Sequence, residues 1–121
     1  LDNSPRGIYI DNIDDSRIIN NTIDSSGSGI YMISTNRNLF DGNNITSLTD
    51  GFSSSIGSND IINNNNIITT NGILMKLTAR IGDKITNNTG LSTGSNDDAI
   101  NLINDCYDNI FINNFSKWDR T

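Results

Sequence analysis

Two tyrosines in matching sequence contexts are the side chains best suited to contact a ligand. Tyr9 and Tyr31 each follow a Gly-Ile pair, 22 residues apart. In short strands of alternating residues, both rings point away from the side on which Ile8 and Ile30 are buried. Outward aromatic rings stacked in this way predict a platform for sugar rings. Packing between neighbouring strands is the favoured alternative, because the aromatic column does not continue.

Acidic side chains gather in two groups, Asp11, Asp14 and Asp15 in one and Asp105 and Asp108 in the other. Such carboxylates are the ligands that calcium takes, and a lyase reaction would need a basic residue beside them to abstract a proton. Neither group has the regular Gly-Gly-x-Gly-x-Asp spacing of calcium-binding repeats. We therefore interpret both groups as solvated turns and expect no cofactor, with calcium as the weaker alternative.

Charge and hydropathy disfavour two classes of partner. The 121 residues carry 8 basic and 14 acidic side chains, a formal net charge of −6. Nucleic acid is disfavoured because its binding depends on cationic side chains, which are few and scattered here. No apolar run is long enough to span a membrane. Because the chain begins at Leu1 rather than Met, we interpret it as a processed chain or a segment of a longer protein.

A repeat of about 22 residues organises the chain. Its clearest copies are residues 16–23 and 83–89, with looser copies at 39–45, 61–67 and 110–115. A period in this range is the signature of a solenoid. A solenoid needs no large central core, which suits a chain with only 34% hydrophobic residues, because each coil buries its apolar side chains against its neighbours.

Each repeat contains about three short strands separated by polar turns. We therefore predict an all-β fold, a right-handed parallel β-helix of about five coils with three short strands per coil. Residues 1–121 would form one β-helix domain, with coils at about 7–28, 29–50, 51–71, 72–98 and 99–121.

Three inward-facing columns of side chains are predicted from the repeat. They consist of Ile8, Ile30, Phe52, Ile73 and Ile100; of Ile18, Phe40, Ile62, Ile85 and Ile110; and of Ile23, Ile45, Ile67 and Phe115. Gly90 interrupts the third column, so we expect a slipped register there, with a bulge or an extended turn.

A column of asparagines is predicted at one tight turn: Asn21, Asn43, Asn65, Asn88 and Asn113. Asn tolerates left-handed backbone dihedrals and can hydrogen-bond to nearby backbone groups. Amides stacked one coil apart can also donate and accept along the axis. We expect this ladder to have a structural role.

The segments Gly7-Ile8-Tyr9-Ile10 and Ile18-Ile19-Asn20-Asn21-Thr22-Ile23 resemble the right-handed parallel β-helix repeat family. They look most like the repeats of periplasmic copper-binding proteins of nitrous-oxide-reductase maturation and of Asn- and Thr-rich surface proteins. The resemblance covers about residues 7–116. It implies the pectate-lyase-like fold, but enzymes, tailspikes and adhesins share that fold, so it does not specify a function.

Asp97 and Asp98, before Ala99-Ile100, are similar to the Asp pair of polygalacturonase-like β-helices. In that family the pair implies acid/base work on a glycosidic bond. The family pattern also includes a His and an Arg-x-Lys element, and this chain has no His. The basic residues nearest in sequence, Lys76, Arg80 and Lys84, are not placed opposite the pair by any pattern.

Copper is the metal that one resembling family implies, and its ligands are typically His, Cys or Met. The chain offers only Cys106, Met32 and Met75, and we predict that Cys106 is a small buried residue. We therefore expect no copper site.

The predicted function is a non-catalytic structural or adhesive module, extracellular, on the cell surface or periplasmic. Its expected partner is a polysaccharide or cell-surface glycan, with no nucleic acid, and the oligomeric state is left open. The alternative is a fragment of a polysaccharide lyase, epimerase or glycoside hydrolase. A carboxylate cluster in a groove beside basic residues would favour the enzyme, whereas a smooth Asn, Ser and Thr surface would favour the module.

Overall fold

The chain is built from short β-strands. The computed structural model describes residues 5–94 and 99–118, apart from the side chains of residues 115 and 118. Within this part the strands are β1 (Ile8–Asp11), β2 (Arg17–Ile19), β3 (Thr22–Ser25), β4 (Ile30–Asn36), β5 (Leu39–Asp41), β6 (Asn44–Ser47), β7 (Phe52–Ser58), β8 (Ile61–Asn63), β9 (Asn66–Thr69), β10 (Met75–Ile81), β11 (Lys84–Thr86), β12 (Thr89–Ser92), β13 (Ile100–Ile103), β14 (Ile110–Ile112) and β15 (Phe115–Trp118).

The strands form three five-stranded sheets that run the length of a solenoid. Sheet 1 contains β1, β4, β7, β10 and β13; sheet 2 contains β2, β5, β8, β11 and β14; sheet 3 contains β3, β6, β9, β12 and β15. All pairings between these strands are parallel. Coil 1 is β1–β3, and each later group of three strands is the next coil, up to coil 5. The predicted all-β parallel β-helix of five coils with three strands per coil is confirmed.

Single residues with left-handed backbone dihedrals turn the chain between sheets. Between sheets 2 and 3 they are Asn20, Gly42, Asn64, Asn87 and Asn113, and between sheets 1 and 2 they are Asp15, Arg37, Asn59, Gly82 and Asp108. Gly, Asn and Asp adopt this conformation at the lowest cost. The Asn-rich composition therefore suits a fold that repeats the same tight corners in every coil.

Inward-facing side chains stack along the axis in four columns. Sheet 1 contributes Ile8, Ile30, Phe52, Met75 and Ile100 and, two residues further on, Ile10, Met32, Ser54, Leu77 and Leu102. Sheet 2 contributes Ile18, Phe40, Ile62, Ile85 and Phe111. Sheet 3 contributes Ile23, Ile45, Ile67, Gly90 and Ser116. Rings of different sheets also meet, since Phe40 and Phe52 pack edge to face with centroids 5.7 Å apart.

Three predicted members of the columns are wrong. The register puts Met75 in place of Ile73, Phe111 in place of Ile110 and Ser116 in place of Phe115. Ile110 is instead 50% exposed on the outward side of sheet 2. All three errors lie in coils 4 and 5, where added residues shift the strands relative to a period counted from the first coils.

The slipped register predicted at Gly90 is also wrong, because Gly90 pairs in frame with Ile67. In coils 1–3 the glycine directly before the strand of sheet 1 packs against an isoleucine of sheet 3, and a Cβ on Gly51 would lie 2.2 Å from Ile67 Cγ2. In coil 4 the large residue and the glycine change places. Leu74 stands opposite Gly51, and its Cδ1 lies 2.2 Å from where a Cβ on Gly90 would be. The leucine thus fills the volume that the missing isoleucine leaves.

One buried hydroxyl in the core lacks a hydrogen bond. Ser54 is 3% exposed between Met32 and Leu77, and its Oγ has no partner among the residues that the structure describes. A buried polar group without a partner costs about 1–3 kcal/mol. We expect Ser54→Ala to raise the free energy of unfolding by about 1 kcal/mol, measured by urea denaturation.

Ser47→Ala is the matched control for this prediction. Ser47 is 2% exposed, and its hydroxyl donates to the carbonyl of Thr49 over 3.2 Å. Removing that hydroxyl should therefore lower stability. Equal effects of the two substitutions would contradict the assignment of Ser54 as an unsatisfied group.

Candidate functional site

A ladder of asparagine amides runs along the corner between sheets 2 and 3. Its members are Asn21, Asn43, Asn65, Asn88 and Asn114. In each step, Oδ1 of one Asn accepts the backbone N–H of the Asn in the preceding coil over 2.9–3.0 Å. The same Oδ1 accepts the side-chain amide of that Asn. These bonds satisfy polar groups that the corner buries, so the ladder joins the coils.

The last member of the ladder is Asn114 and not the predicted Asn113. Asn113 has a φ of 53° and occupies the left-handed turn position, as Asn87 does in coil 4. Asn114 accepts the backbone N–H of Asn88 over 3.0 Å and donates to the carbonyl of Ile85. In coils 1, 3, 4 and 5 the residue before the ladder member is an Asn with a left-handed backbone, and in coil 2 Gly42 takes that position before Asn43.

A second ladder, at the corner between sheets 1 and 2, was missed by sequence analysis. It consists of Asn38, Asp60, Asp83 and Asn109, whose Oδ1 atoms accept backbone N–H groups of the preceding coil over 2.7–2.9 Å. The signal was present in the sequence, because these residues are 22, 23 and 26 positions apart, and each stands two positions before an apolar residue. The change between Asn and Asp concealed it.

Arg80 binds the two acidic members of this ladder inside the solenoid. Arg80, Asp60 and Asp83 are all fully buried, with 0% exposure. Arg80 donates from Nε to Asp83 Oδ2 over 2.7 Å and from Nη2 to Asp83 Oδ1 over 3.0 Å. Nη2 also donates to Asp60, and Nη1 donates to Thr35 Oγ1 over 3.1 Å. One guanidinium thus connects coils 2, 3 and 4.

A glycine makes room for this guanidinium. Thr35, Gly57 and Arg80 are in register on sheet 1. A Cβ on Gly57 would lie 2.1 Å from Arg80 Nη1. Arg80 therefore crosses coil 3 where coil 3 has no side chain, and reaches Thr35 in coil 2.

The electrostatics of this cluster favour the charged arginine. Burial alone would lower the pKa of Arg80, but the hydrogen bonds and charges of Asp83 and Asp60 outweigh it and raise the pKa. Backbone and side-chain donors satisfy the remaining carboxylate oxygens, since Asn38 N–H and Thr35 Oγ1 both donate to Asp60. A buried ion pair needs such additional hydrogen bonds. The cluster is closed to solvent, so it can act in folding and not on a substrate.

Tyr9 and Tyr31 lie together on the outward side of sheet 1. Their rings stack with centroids 5.8 Å apart and an interplanar angle of 20°. The Arg6 guanidinium lies 4.2 Å from the Tyr31 centroid and 4.9 Å from the Tyr9 centroid. Tyr9 donates to Asp11 over 3.2 Å. The pKa of the Tyr9 phenol is raised, most of all by desolvation and next by the negative charge of Asp11. Arg6 and Asp11 thus hold the pair in place, while 49% of the Tyr9 surface stays exposed to solvent.

The family model described as "Periplasmic copper-binding protein (NosD)" matches residues 1–120. The chain belongs to the NosD family. No curated protein and no solved structure gives a significant match to it. Membership confirms the resemblance to periplasmic β-helix repeats. It also places the chain in a periplasmic family, in agreement with the predicted location outside the cytoplasm.

The side chains of this NosD-family chain do not fit a copper site. The whole sequence lacks His. Met32 and Met75 are buried in the apolar core, with 0% and 3% exposure. Cys106 is partly buried, and its Sγ lies 3.4 Å from the carbonyl oxygen of Leu77. The soft ligands that copper prefers are therefore used in packing.

The acidic groups considered for calcium are partly engaged in other contacts. Arg37 donates to both oxygens of Asp15 over 2.8 Å and to Asp14 over 3.4 Å. The hydrogen bond from Arg37 lowers the pKa of Asp15. Within residues 5–94 and 99–118 there is no group of three or more His, Cys, Asp or Glu side chains arranged to hold a metal ion. The same residues contain no helix long and apolar enough to cross a membrane.

The predicted catalytic pair, Asp97 and Asp98, lies outside the described residues. Asp105 and Asp108 are exposed in coil 5. Among the described residues, acidic and basic side chains come together away from solvent in the Arg80 cluster. The structure therefore brings together residues that the sequence analysis had not connected.

Proposed function

We propose that this NosD-family chain is a non-catalytic structural segment of a β-solenoid, with a carbohydrate contact on the outward side of sheet 1. The observation that supports the structural role is the full burial of Arg80, Asp60 and Asp83. An acid and base pair that acts on a polysaccharide must reach its substrate. These three charges instead bind one another and the backbone of neighbouring coils.

The carbohydrate contact is supported by the stacked pair of tyrosines. Tyr9 is exposed and Tyr31 is half-buried, so the stacked rings present part of their surface to solvent along the solenoid axis. Aromatic rings with a polar edge suit ligands that have one apolar face and many hydroxyl groups. The Arg6 guanidinium packs against both rings, which holds the pair in place at this surface.

We expect Tyr31→Ala to weaken binding to a neutral polysaccharide by about threefold to tenfold, because it removes one of two stacked rings. The measurement is affinity gel electrophoresis of the purified chain in gels containing soluble xylan or amylose. Tyr107→Ala is the matched control, since Tyr107 is 53% exposed in coil 5 and far along the chain from the pair. Circular dichroism would establish that both variants are folded.

Two outcomes would overturn parts of the proposal. Absence of retardation by any glycan, or equal losses in the Tyr31 and Tyr107 variants, would eliminate the carbohydrate contact. Release of reducing or unsaturated ends from a polysaccharide would instead establish the enzyme alternative. That alternative predicts that the release disappears when Asp97 and Asp98 are changed to Asn.

A further inference from the structure

A groove lies on the outward side of sheet 2, away from the tyrosines of sheet 1. It has a volume of about 360 Å³ and is lined by Ile61, Asn63, Lys84, Thr86, Asn87, Ile112 and Asn113. Binding sites for small ligands begin at about 300 Å³. The lining residues come from coils 3, 4 and 5, so the groove extends across about 10 Å. This length suits a short oligosaccharide.

The amides on the floor of the groove are held in place by one another. Asn63 donates to Asp41 over 3.0 Å, and its Oδ1 accepts Thr86 Oγ1 over 2.7 Å and Asn87 Nδ2 over 3.0 Å. These bonds fix the orientation of Asn87 and leave its Oδ1 facing away from Asn63 as an acceptor. The polar floor is therefore ordered before any ligand arrives, which reduces the entropy lost on binding.

Lys84 supplies a positive charge that the structure does not neutralise. Its ammonium forms no ion pair or hydrogen bond with any residue in the described part of the chain. The adjacent Asp83 is fully buried and is bound by Arg80. By contrast, the exposed Arg37 is paired with Asp14 and Asp15. An ammonium without a partner attracts an anion that enters the groove.

Aliphatic side chains flank this charge. Ile61 and Ile112 are 41% and 48% exposed, and Ile61 and Lys84 are direct neighbours across the strands. Two apolar surfaces beside amide groups and one cation match a ring that carries hydroxyl groups and a carboxylate. We propose that the groove binds a carboxylate-bearing sugar, with its carboxylate on Lys84 and a hydroxyl on Asn87 Oδ1. This inference rests on the proposed function only in taking a carbohydrate as the ligand. The site itself is independent, because the groove is on sheet 2 and the proposed contact is on sheet 1.

Isothermal titration calorimetry with trigalacturonate tests this site, with its methyl ester as the neutral probe. We expect trigalacturonate to bind, its ester to bind at least tenfold more weakly, and Lys84→Gln to weaken trigalacturonate binding by roughly tenfold. Lys76→Gln is the matched control, since it removes the same charge from the outward side of sheet 1, and it should leave binding unchanged. Lys84 is exposed, so the variant is expected to fold.

Three outcomes would overturn the inference. Absence of trigalacturonate binding, equal losses in the Lys76 and Lys84 variants, or equally tight binding of triglutamate would each eliminate a site for an acidic sugar. The Tyr31→Ala variant separates the two proposals. If it loses neutral glycans while Lys84→Gln has no effect on trigalacturonate, only the groove is rejected. If Lys84→Gln alone has an effect, only the contact on sheet 1 is rejected.

Discussion

Replacing Arg80 with leucine is expected to lower the free energy of unfolding by about 3–5 kcal/mol. The substitution leaves Asp60 and Asp83 as two carboxylates, each with 0% exposure, without the cation that binds both. Removing one partner of a buried ion pair costs more than the pair contributes, because an uncompensated charge stays in the interior. Urea denaturation followed by circular dichroism measures the loss.

Arg37→Leu is the control for this prediction. Arg37 also binds two aspartates, Asp14 and Asp15, but all three side chains are exposed to solvent. Exposed ion pairs contribute little because water and salt screen them, so this substitution should leave stability nearly unchanged. Similar losses in the two variants would show that burial of the Arg80 cluster does not determine its importance.

A triple variant separates the charge from the shape of the cluster. When Arg80→Leu is combined with Asp60→Asn and Asp83→Asn, no buried charge remains, and each Asn oxygen can still accept the backbone N–H that the carboxylate accepted. The corner would then resemble the amide ladder that runs from Asn21 to Asn114. We expect the triple variant to be more stable than Arg80→Leu alone. A further loss of stability would contradict the electrostatic explanation.

The second large effect is expected in coil 4, where the large residue, Leu74, and the glycine, Gly90, occupy each other's usual positions. Leu74→Gly empties the volume above Gly90 and should cost about 3–5 kcal/mol, as large core truncations do. Gly90→Ile should also be destabilising, because its Cβ would lie 2.2 Å from Leu74 Cδ1. The double variant recreates the arrangement of Gly51 and Ile67 in coil 3. We expect it to recover at least about 2 kcal/mol relative to the sum of the single changes.

Thermal and urea unfolding of the four proteins in this cycle provide the test. The cavity of about 90 Å³ beside Gly90, lined also by Ala99, Ile100 and Ser116, offers space for part of the new isoleucine. Additive losses would show that the two positions are independent. In that case the size exchange between coils would not be what keeps coil 4 in register.

Much of the architecture was predictable from the sequence. The Asn positions from Asn21 to Asn88 repeat at 22 or 23 residues, and their amides bond from coil to coil. The left-handed backbone expected at these positions is instead adopted by the residue before each of them. The solenoid and its three strands per coil follow from this period. The sequence also offered Tyr9 and Tyr31 as a pair, and the structure finds their rings stacked.

Only the tertiary structure decided which residues of coil 5 point inward, because the repeat period alone does not fix this. Asn113 and Asn114 are chemically identical, and only the hydrogen bond to Asn88 in the preceding coil shows which amide points inward. Residues added in coil 5 change the phase of the repeat, and for this reason Phe111, and not Ile110, occupies the inward column of sheet 2.

The Arg80 cluster was also beyond the reach of sequence analysis. Asp60 and Asp83 stand in turns, where a carboxylate is ordinarily solvated, and their burial depends on a guanidinium that comes from a different strand. That guanidinium reaches Thr35 only because Gly57, in the coil between, leaves its space empty. Local sequence determined the corners and strands of each coil, because these depend on neighbouring residues. The pairing of charges between coils 3 and 4, and the hydrogen bond from Arg80 to Thr35, 45 positions away in coil 2, were decided by the stacking of the coils.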